Sequence, residues 1–379
     1  MGVINVMLEI QMDILILVLL VGVGIHSCFM LNKKKQIHRL FSLIIFLTVC
    51  MLFLEILNMV LGTSVYPGLQ GLGKAVNTAV FALTPGVPML TVLYAYKMTH
   101  KRRQLFLPAF RRLALPFFLN AFFSAGSYYT GWMFIHQPGQ LYERGPLFFI
   151  LPLTCAIYYV VHLLVLYSGR RRIGTGDLLV LSSLTLIPAL LTAVQLYWFN
   201  CLTIWTSVAV AVVINYIYII HAVAKRDALT GLGNRLAYDE YMARLRRKRQ
   251  IDLAIVNIDL DDFKQINDRF GHEAGDKVLR FFARQLEDVF FGTGLAIRLG
   301  GDEFVVLLSE KRRERVQTHI EKLQERIRHY NETGERSYDL SFSCGIAVFD
   351  DTYKSLHEFL HRADALMYEE KKKKGAVTK

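Results

Sequence analysis

The chain has 379 residues, a 53% hydrophobic content and a formal net charge of +12. That length implies two or more domains, and so high an apolar content excludes both a disordered chain and a pair of ordinary soluble domains. Cys28, Cys50, Cys155, Cys201 and Cys344 are scattered without a CxxC pair, which argues against a zinc site or a disulfide framework.

Up to about Ala224 the sequence is a succession of long apolar runs, and beyond it a charged, globular pattern. We therefore expect a membrane domain over 1–222 and a soluble domain over 223–379. Runs near the roughly 20 residues needed to cross a bilayer occur at about 13–31, 40–61, 75–96, 113–131, 147–167, 178–199 and 202–222, about seven spans. Pro85 and Pro88 fall inside the third and should kink it. "WFNC" (198–201) is the turn between the sixth and seventh.

Lys and Arg collect in "NKKKQIHR" (32–39), "KMTHKRRQLFLPAFRR" (97–112), "GRRRIG" (169–174) and "AKRD" (224–227). The alternate connections, 62–74 and 134–145, hold one basic residue each. By the positive-inside rule the N-terminus is then outside and the C-terminal domain cytoplasmic, an alternation that an odd number of spans satisfies. The positive charge is thereby topological, and nucleic acid is not an expected partner. The opening "MGVINVMLEIQMD" lacks a basic n-region and a cleavage site, so it does not read as a signal peptide.

In the soluble part, "NRLAYDEYMARLRRKR" (234–249) has helical spacing and "IDLAIVNID" (251–259) the β-branched content of a buried strand. "GHEAGDKVLRFFARQLEDVF" (271–290) is amphipathic and helical; "GLAIRL" and "EFVVLLS" are strands joined by a Gly-Gly turn. A charged helix at about 311–331, a strand region "SYDLSFSCGIAVF" (337–349) and a last helix over about 355–372 complete the chain. Alternating helices and strands with one hairpin suggest an α/β (α+β) sandwich on a mixed central sheet. Asp259 closes the first strand, and Asp302 and Glu303 sit on the hairpin turn. Three clustered acids need neutralising, and oxygen ligands suit Mg²⁺; singly, each acid reads as an exposed turn residue.

Several ordered motifs carry a family resemblance. "RDALTGLGNR" (226–235), "DLDDFKQINDRFGHEAGD" (259–276), "RLGGDEF" (298–304), "SCGIAVF" (343–349) and "RADALMYEEK" (362–371) together make the soluble part resemble the GGDEF diguanylate cyclases. The resemblance implies joining of two GTP into cyclic di-GMP with release of two pyrophosphates. It implies Asp259, the carbonyl of Leu260 and Asp302 as Mg²⁺ ligands, two ions per site, with Mn²⁺ as a substitute. Asp302 or Glu303 would take the proton of the attacking hydroxyl. Lys264, Lys371 and the amides around Asp262 and Phe263 would meet the triphosphate, and Asn267 and Asp276 would read guanine. His272 falls near the base pocket, and Arg298 either contacts phosphate or holds the turn.

Two stretches depart from the family pattern. "FGTG" (291–294) stands where many members have an Arg-x-x-Asp product-inhibition site, and "KKKKGAV" (371–377) replaces an ending that would put Arg at Gly375. One such domain holds one GTP, so the resemblance implies a homodimer through the GGDEF domains, with the last span as the signal rod. A bacterial inner-membrane, multi-pass protein follows from the two halves together. Glu55 and His162 are ionisable groups within spans. The seven-span unit is similar to bacterial seven-span sensor modules in topology alone. The competing readings are a catalytically silent GTP-binding or dimerisation module and, because no internal repeat is evident, less strongly a transporter.

Overall fold

A computed structural model describes residues 3–31, 36–62, 66–100, 106–136, 142–170, 173–197, 204–246, 252–333, 338–350, 352–353 and 355–377. The chain divides into two compact units, Met1–Ile220 and His221–Lys379.

The first unit is helical: α1 (Val3–Met30), α2 (Gln36–Gly62), α3 (Gln70–Leu83), α4 (Gly86–Thr99), α5 (Phe106–Thr130), α6 (Ile150–Gly169), α7 (Thr175–Tyr197) and α8 (Ile204–Ala224), whose last turn enters the second unit. A short hairpin, β1 (Phe134–Ile135) and β2 (Glu143–Arg144), interrupts the connection after α5. The third apolar run breaks at Thr84 and Pro85 into α3 and α4, at the first of the two prolines. Among the described residues six segments are long and apolar enough to cross a membrane, α3 and α4 counting as one; α5, which holds the fourth apolar run, is not one of them. Its Pro116, Asn120, Ser124 and Ser127 dilute the apolar character. Most of the basic clusters at 32–35, 101–105 and 171–172, and the "WFNC" turn, lie outside the described residues.

Polar side chains tie these helices together where water is scarce, since a buried polar group needs a partner. Asn120 of α5 donates to the Phe81 carbonyl of α3 at 2.8 Å, and Asn215 of α8 to the Val180 carbonyl of α7 at 3.1 Å. Thr206 of α8 donates to Asp13 of α1 at 3.0 Å, and His162 of α6 meets Thr91 of α4 at 3.2 Å.

The second unit contains α9 (Arg235–Leu245), β3 (Ala254–Leu260), α10 (Phe263–Phe270), α11 (His272–Val289), β4 (Gly294–Gly300), β5 (Glu303–Leu308), α12 (Arg313–Glu332), β6 (Phe342–Val348) and α13 (Leu356–Val377). The sheet order is β4-β5-β3-β6, and every neighbouring pair is antiparallel. This corrects the expectation of a mixed central sheet. Each strand-helix-strand crossover does return its second strand parallel to its first, but not beside it. The gap between β3 and β4 is filled by β5, the other arm of the hairpin, so all ladder neighbours run in opposite directions. Among the described residues the one parallel pairing is an isolated bridge, Gly233 to Ile297.

Both faces of the sheet are covered, which is why β3 is buried along its whole length. Ala254, Val256, Ile258 and Leu260 pack with Phe282 and Leu286 of α11 and Leu323 of α12. Leu253 and Ile255 pack with Met242 and Leu245 of α9 and Phe359 and Ala363 of α13. The period of two then puts Asn257 and Asp259 on the α13 side, and their contacts with Asp364 and Lys371 agree.

Candidate active site

The site gathers where β3 ends, where β4 turns into β5, and where α13 passes over both. Asp259 is 7% exposed and pairs across the ladder with Glu303. One residue on, the Leu260 amide donates to the Asp302 carbonyl at 3.3 Å, so backbone pairing carries β3 directly into the turn. The turn is Gly301-Asp302: Gly301 has φ 49, a left-handed value that glycine adopts without a Cβ clash, and the ladder bulges between Arg298 and Gly300. A Cβ built on Gly300 or Gly301 would meet no atom within 4 Å, so the Gly half of the turn faces open space.

Asp259 and Asp302 feel each other. Burial is the main reason the Asp302 carboxyl is pushed above its ordinary range, and the Asp259 charge adds to it, against the pull of Lys371 and Arg298. Lys371 Nζ lies 2.5 Å from Asp259 Oδ1. Burial alone would lower the Lys371 ammonium, but the hydrogen bond to Asp259 and the charges of Asp259, Asp302 and Asp261 outweigh it and raise it. Two carboxylates and the Leu260 carbonyl at adjacent strand ends are hard oxygen donors of the kind Mg²⁺ takes, one or two carboxylates with substrate phosphates completing the shell. Among the described residues no group of three or more His, Cys, Asp or Glu forms an all-protein cage. Such donors could hold an ion together with a phosphate, and a cation would relieve the mutual repulsion of Asp259 and Asp302.

After β3 the chain turns sharply. Asp261 is held by Ser341 Oγ at 2.9 Å, by Ser343 Oγ at 2.6 Å and by Lys374 at 3.4 Å. Asp262 then takes φ 54, the left-handed region that a non-glycine residue occupies at a cost of order 1–3 kcal/mol. That kink starts α10, whose first residues are Phe263, buried, and Lys264, exposed. Unpaired amides of a helix start point where anions bind, which is the setting the family resemblance gives for the triphosphate.

α10 and α11 meet at a second kink, Gly271, with φ 83. His272, exposed, opens α11, and Asp276 lies one turn on, with Arg280 at 3.4 Å. Asn267 enters the α10–α11 crossing because Gly275 leaves room for it: a Cβ there would fall 2.0 Å from Asn267 Oδ1. Gly275→Ala should therefore push the Asn267 side chain aside and loosen the α10–α11 crossing by about 1–3 kcal/mol, the cost of overpacking; an unchanged thermal melt would show that this gap does not position Asn267.

Arg298 donates from Nε and Nη2 to the Gly301 carbonyl at 2.9 and 2.7 Å, and from Nη1 to Asp227 Oδ1 at 3.2 Å. Of its two expected roles, these contacts serve the holding of the turn. Asp227 is a residue that sequence reasoning missed. It also accepts from the amide and hydroxyl of Thr230 at 2.8 and 2.6 Å, an Asx-turn signal visible in "DALT". Burial would raise the Asp227 carboxyl, but Thr230 and Arg298 together hold it below its ordinary range. Its contribution to stability is present above the unfolded-state pKa and lost as pH falls through the lower folded value. Arg298→Ala should cost about 1–3 kcal/mol and flatten that acid-side loss. Thermal melts of the full chain across a pH series check both, and parallel curves for the two proteins would refute the link.

The preceding loop is tied in as well. Asn234 caps α9 through the Ala237 amide at 3.2 Å and donates to the Ala224 carbonyl at 2.7 Å. Glu240 of α9 receives Lys225 at 2.6 Å and His221 at 3.1 Å, so the last turn of α8 is anchored beside the loop that carries Asp227. At the far end, the lysine run is helical: α13 continues to Val377, and Lys374 Nζ reaches the Phe342 carbonyl at 2.5 Å and Glu370 at 3.3 Å.

Comparison with known proteins agrees with this geometry. Residues 224–376 match the family model described as "Diguanylate cyclase, GGDEF domain". Diguanylate cyclase DgcP of Escherichia coli is 38% identical over 152 residues, 39% of this chain and 45% of that protein. Diguanylate cyclase DgcS of Shewanella oneidensis is 36% identical over 154 residues, 38% of this chain and 49% of that protein. The coiled coil and GGDEF domain of DgcB from Caulobacter crescentus, solved in complex with c-di-GMP, is 26% identical, with 44% of this chain and 91% of that chain covered and a TM-score of 0.40. The chain thus spans less than half the length of these curated relatives. Its motifs, its sheet and its match agree over residues 224–376, which are similar to the GGDEF domain of diguanylate cyclases.

Proposed function

We propose that this chain is a membrane-bound diguanylate cyclase that condenses two GTP into cyclic di-GMP and two pyrophosphates. The observation that carries the reading is the convergence of Asp259, which pairs across the ladder with Glu303, and Asp302, whose carbonyl accepts from the Leu260 amide, with Lys371 of α13 bonded to Asp259. In each half-reaction a 3′-oxygen of one GTP forms a bond to the α-phosphorus of the other, and the bond from that phosphorus to the pyrophosphate oxygen breaks. The hydroxyl proton passes to the acid half of the turn, Asp302 or Glu303. Lys264, Lys371 and the amides at the start of α10 hold the triphosphate, point charges and N–H groups suiting a flexible anionic chain. Asn267 and Asp276 orient the guanine so that the oxygen and phosphorus line up. Asp259, the Leu260 carbonyl and Asp302 would hold Mg²⁺, which when bound supplies charge neutralisation at the phosphates.

Each GGDEF domain offers one nucleotide site, so the active form is a homodimer with two half-sites facing. The six apolar segments support a membrane anchor, and the basic loops support a cytoplasmic catalytic domain. The test is to incubate the purified full chain in detergent with GTP and Mg²⁺ and assay for cyclic di-GMP. Product that is absent, or hydrolysis to pyrophosphate without a dinucleotide, would overturn the reading in favour of a silent GTP-binding module.

The anchoring of His221, Ala224 and Lys225 beside the Asp227 loop supports α8 as the element that transmits a membrane signal. Inserting one to four alanines, in separate variants, after Ala224 should make cyclase activity rise and fall with the helical period of about 3.6 residues. A flat response across the series would refute transmission by helix rotation.

A further inference from the structure

The chain has 11 histidines, and in one place only do two of them stand four apart: "HEFLH", His357 to His361. This is the His-Glu-x-x-His spacing, which on a helix puts both imidazoles on one face, where they can chelate a zinc ion. Such a spacing arises by chance as well, so the structural context decides. Here the segment is helical and occupies the first two turns of α13. Ser355 caps that start, its hydroxyl accepting from the Glu358 amide at 3.2 Å, so the first turn is held rather than frayed. Phe359 and Ala363 are fully buried in one cluster with Ile255 and Ala347 of the sheet. They set the rotation of the helix and leave His357 and His361 exposed together on its outer side.

The two ring centroids are 4.5 Å apart, with the ring planes at 69°. Two imidazoles that share a tetrahedral zinc ion at Zn–N distances of about 2.0–2.1 Å have centroids about 5 Å apart. Exposed side chains reach that spacing by small rotations within their rotamer wells. Among the described residues neither imidazole hydrogen-bonds to another group, so the ring nitrogens are open to an ion. Imidazole nitrogen suits Zn²⁺, Ni²⁺ and Cu²⁺, whereas Mg²⁺ takes oxygen, so the pair is chemically separate from the acids at the strand ends. The helix dipole opposes a cation at this end of α13, and Glu358 in the same turn offsets it. Among the described residues no third His, Cys, Asp or Glu joins the pair. A zinc hydrolase takes three protein ligands and a structural site four, so two histidines describe a site that exchanges its ion with solution.

We infer that His357 and His361 form an exchangeable site for a divalent transition-metal ion of the Zn²⁺ class on the outer face of α13. Bound, the ion would fasten the front of the helix that brings Lys371 to Asp259. An effect on the cyclase rests on the proposed function, whereas binding itself does not. The test is equilibrium dialysis of radiolabelled Zn²⁺ against the full chain in detergent, purified without a polyhistidine tag and with Mg²⁺ in excess to fill oxygen sites. Saturable binding of one Zn²⁺ per chain is expected, weakened about tenfold or more by His357→Ala and by His361→Ala. His329→Ala, which removes a lone exposed histidine, should leave it unchanged. Asp302→Ala should also leave it unchanged, which separates failure of this site from failure of the cyclase reading. With Cu²⁺ as the probe, the nitrogen splitting in the electron paramagnetic resonance spectrum should report two imidazoles in the parent and one in either single variant. No saturable Zn²⁺ binding in excess Mg²⁺, full affinity in both variants, or an equal loss in His329→Ala would each overturn the inference. Should a variant not fold, the Cu²⁺ spectrum of the parent decides, and a single imidazole there would overturn it.

Discussion

Asp302→Ala is expected to lower cyclic di-GMP formation by the full chain about 10³-fold or more, while GTP still binds. In the proposed reaction the residue would hold a metal ion beside the reacting phosphate, and stabilisation of charge that develops in a transition state is worth several kcal/mol. The turn itself should survive, since it rests on Gly301 and Arg298 rather than on the Asp302 side chain. The same acid should weigh against folding. Its carboxyl is raised by burial and by Asp259, so the folded state holds the proton more tightly than the unfolded chain. Stability is then highest below the unfolded-state value and falls as pH rises through the window up to the folded value. Asp302→Asn should accordingly be inactive yet more stable than the parent at neutral pH, by about 0.5 kcal/mol, the usual sign of a site that trades stability for function. Product formation by chromatography and thermal melts of the two proteins check the pair. A variant that kept a tenth of the activity would remove Asp302 from the reaction.

Asp276→Asn should raise the KM for GTP by roughly 10–100-fold, the equivalent of losing one charge-assisted hydrogen bond. An ionised carboxylate only accepts, which matches the two donors on the Watson–Crick edge of guanine, N1–H and the amino group. Asparagine turns one of those acceptors into a donor facing a donor. Turnover at saturating GTP should change far less, because the base lies away from the reacting atoms, and the preference of GTP over ATP should shrink. Removing Asp276 has little structural cost: its partner Arg280 is 3.4 Å away and both side chains are about half exposed, so the pair adds little to stability. Steady-state KM and kcat with GTP and ATP decide the point. An unchanged GTP KM would mean that guanine is read elsewhere.

Much of the site was legible because its residues are local to recognisable turns. Asp259 was placed at a strand end by the β-branched run before it, and "GGDE" was placed on a hairpin by the two glycines and the apolar arms on either side. The break in the third apolar run follows from Pro85 alone, since a proline lacks the amide that would continue the helix. Other features were hidden because their partners are distant in the chain. Lys371 and Asp259 are 112 positions apart, and Arg298 and Asp227 are 71 apart. No periodicity links such residues, so neither the raised Lys371 ammonium nor the Asp227 anchor could be read from spacing. Arg298 shows the limit well: residue type allowed phosphate binding or turn support, and only the position of the Gly301 carbonyl distinguishes them.

The strand directions illustrate the same division. A sequence of alternating strands and helices with one hairpin is compatible with a mixed sheet, and the order of the strands was read correctly while their neighbours, and the short helix α10, were not. What the amino-acid sequence determined by itself was the split into an apolar half and a charged half, the strands and longer helices of the second half, and the acids, amide and lysines placed in it. These are properties of composition, period and short motifs, and they act within a few residues. Tertiary structure alone decided that β5 inserts between β3 and β4, that Asp261 is sequestered by Ser341, Ser343 and Lys374, and that α4, α6 and α7 line a cavity against the side of α8. Those outcomes depend on which surfaces meet. Ala254 pairs with Leu308 on one side and Val348 on the other, and only the packed fold brings residues so far apart in sequence together.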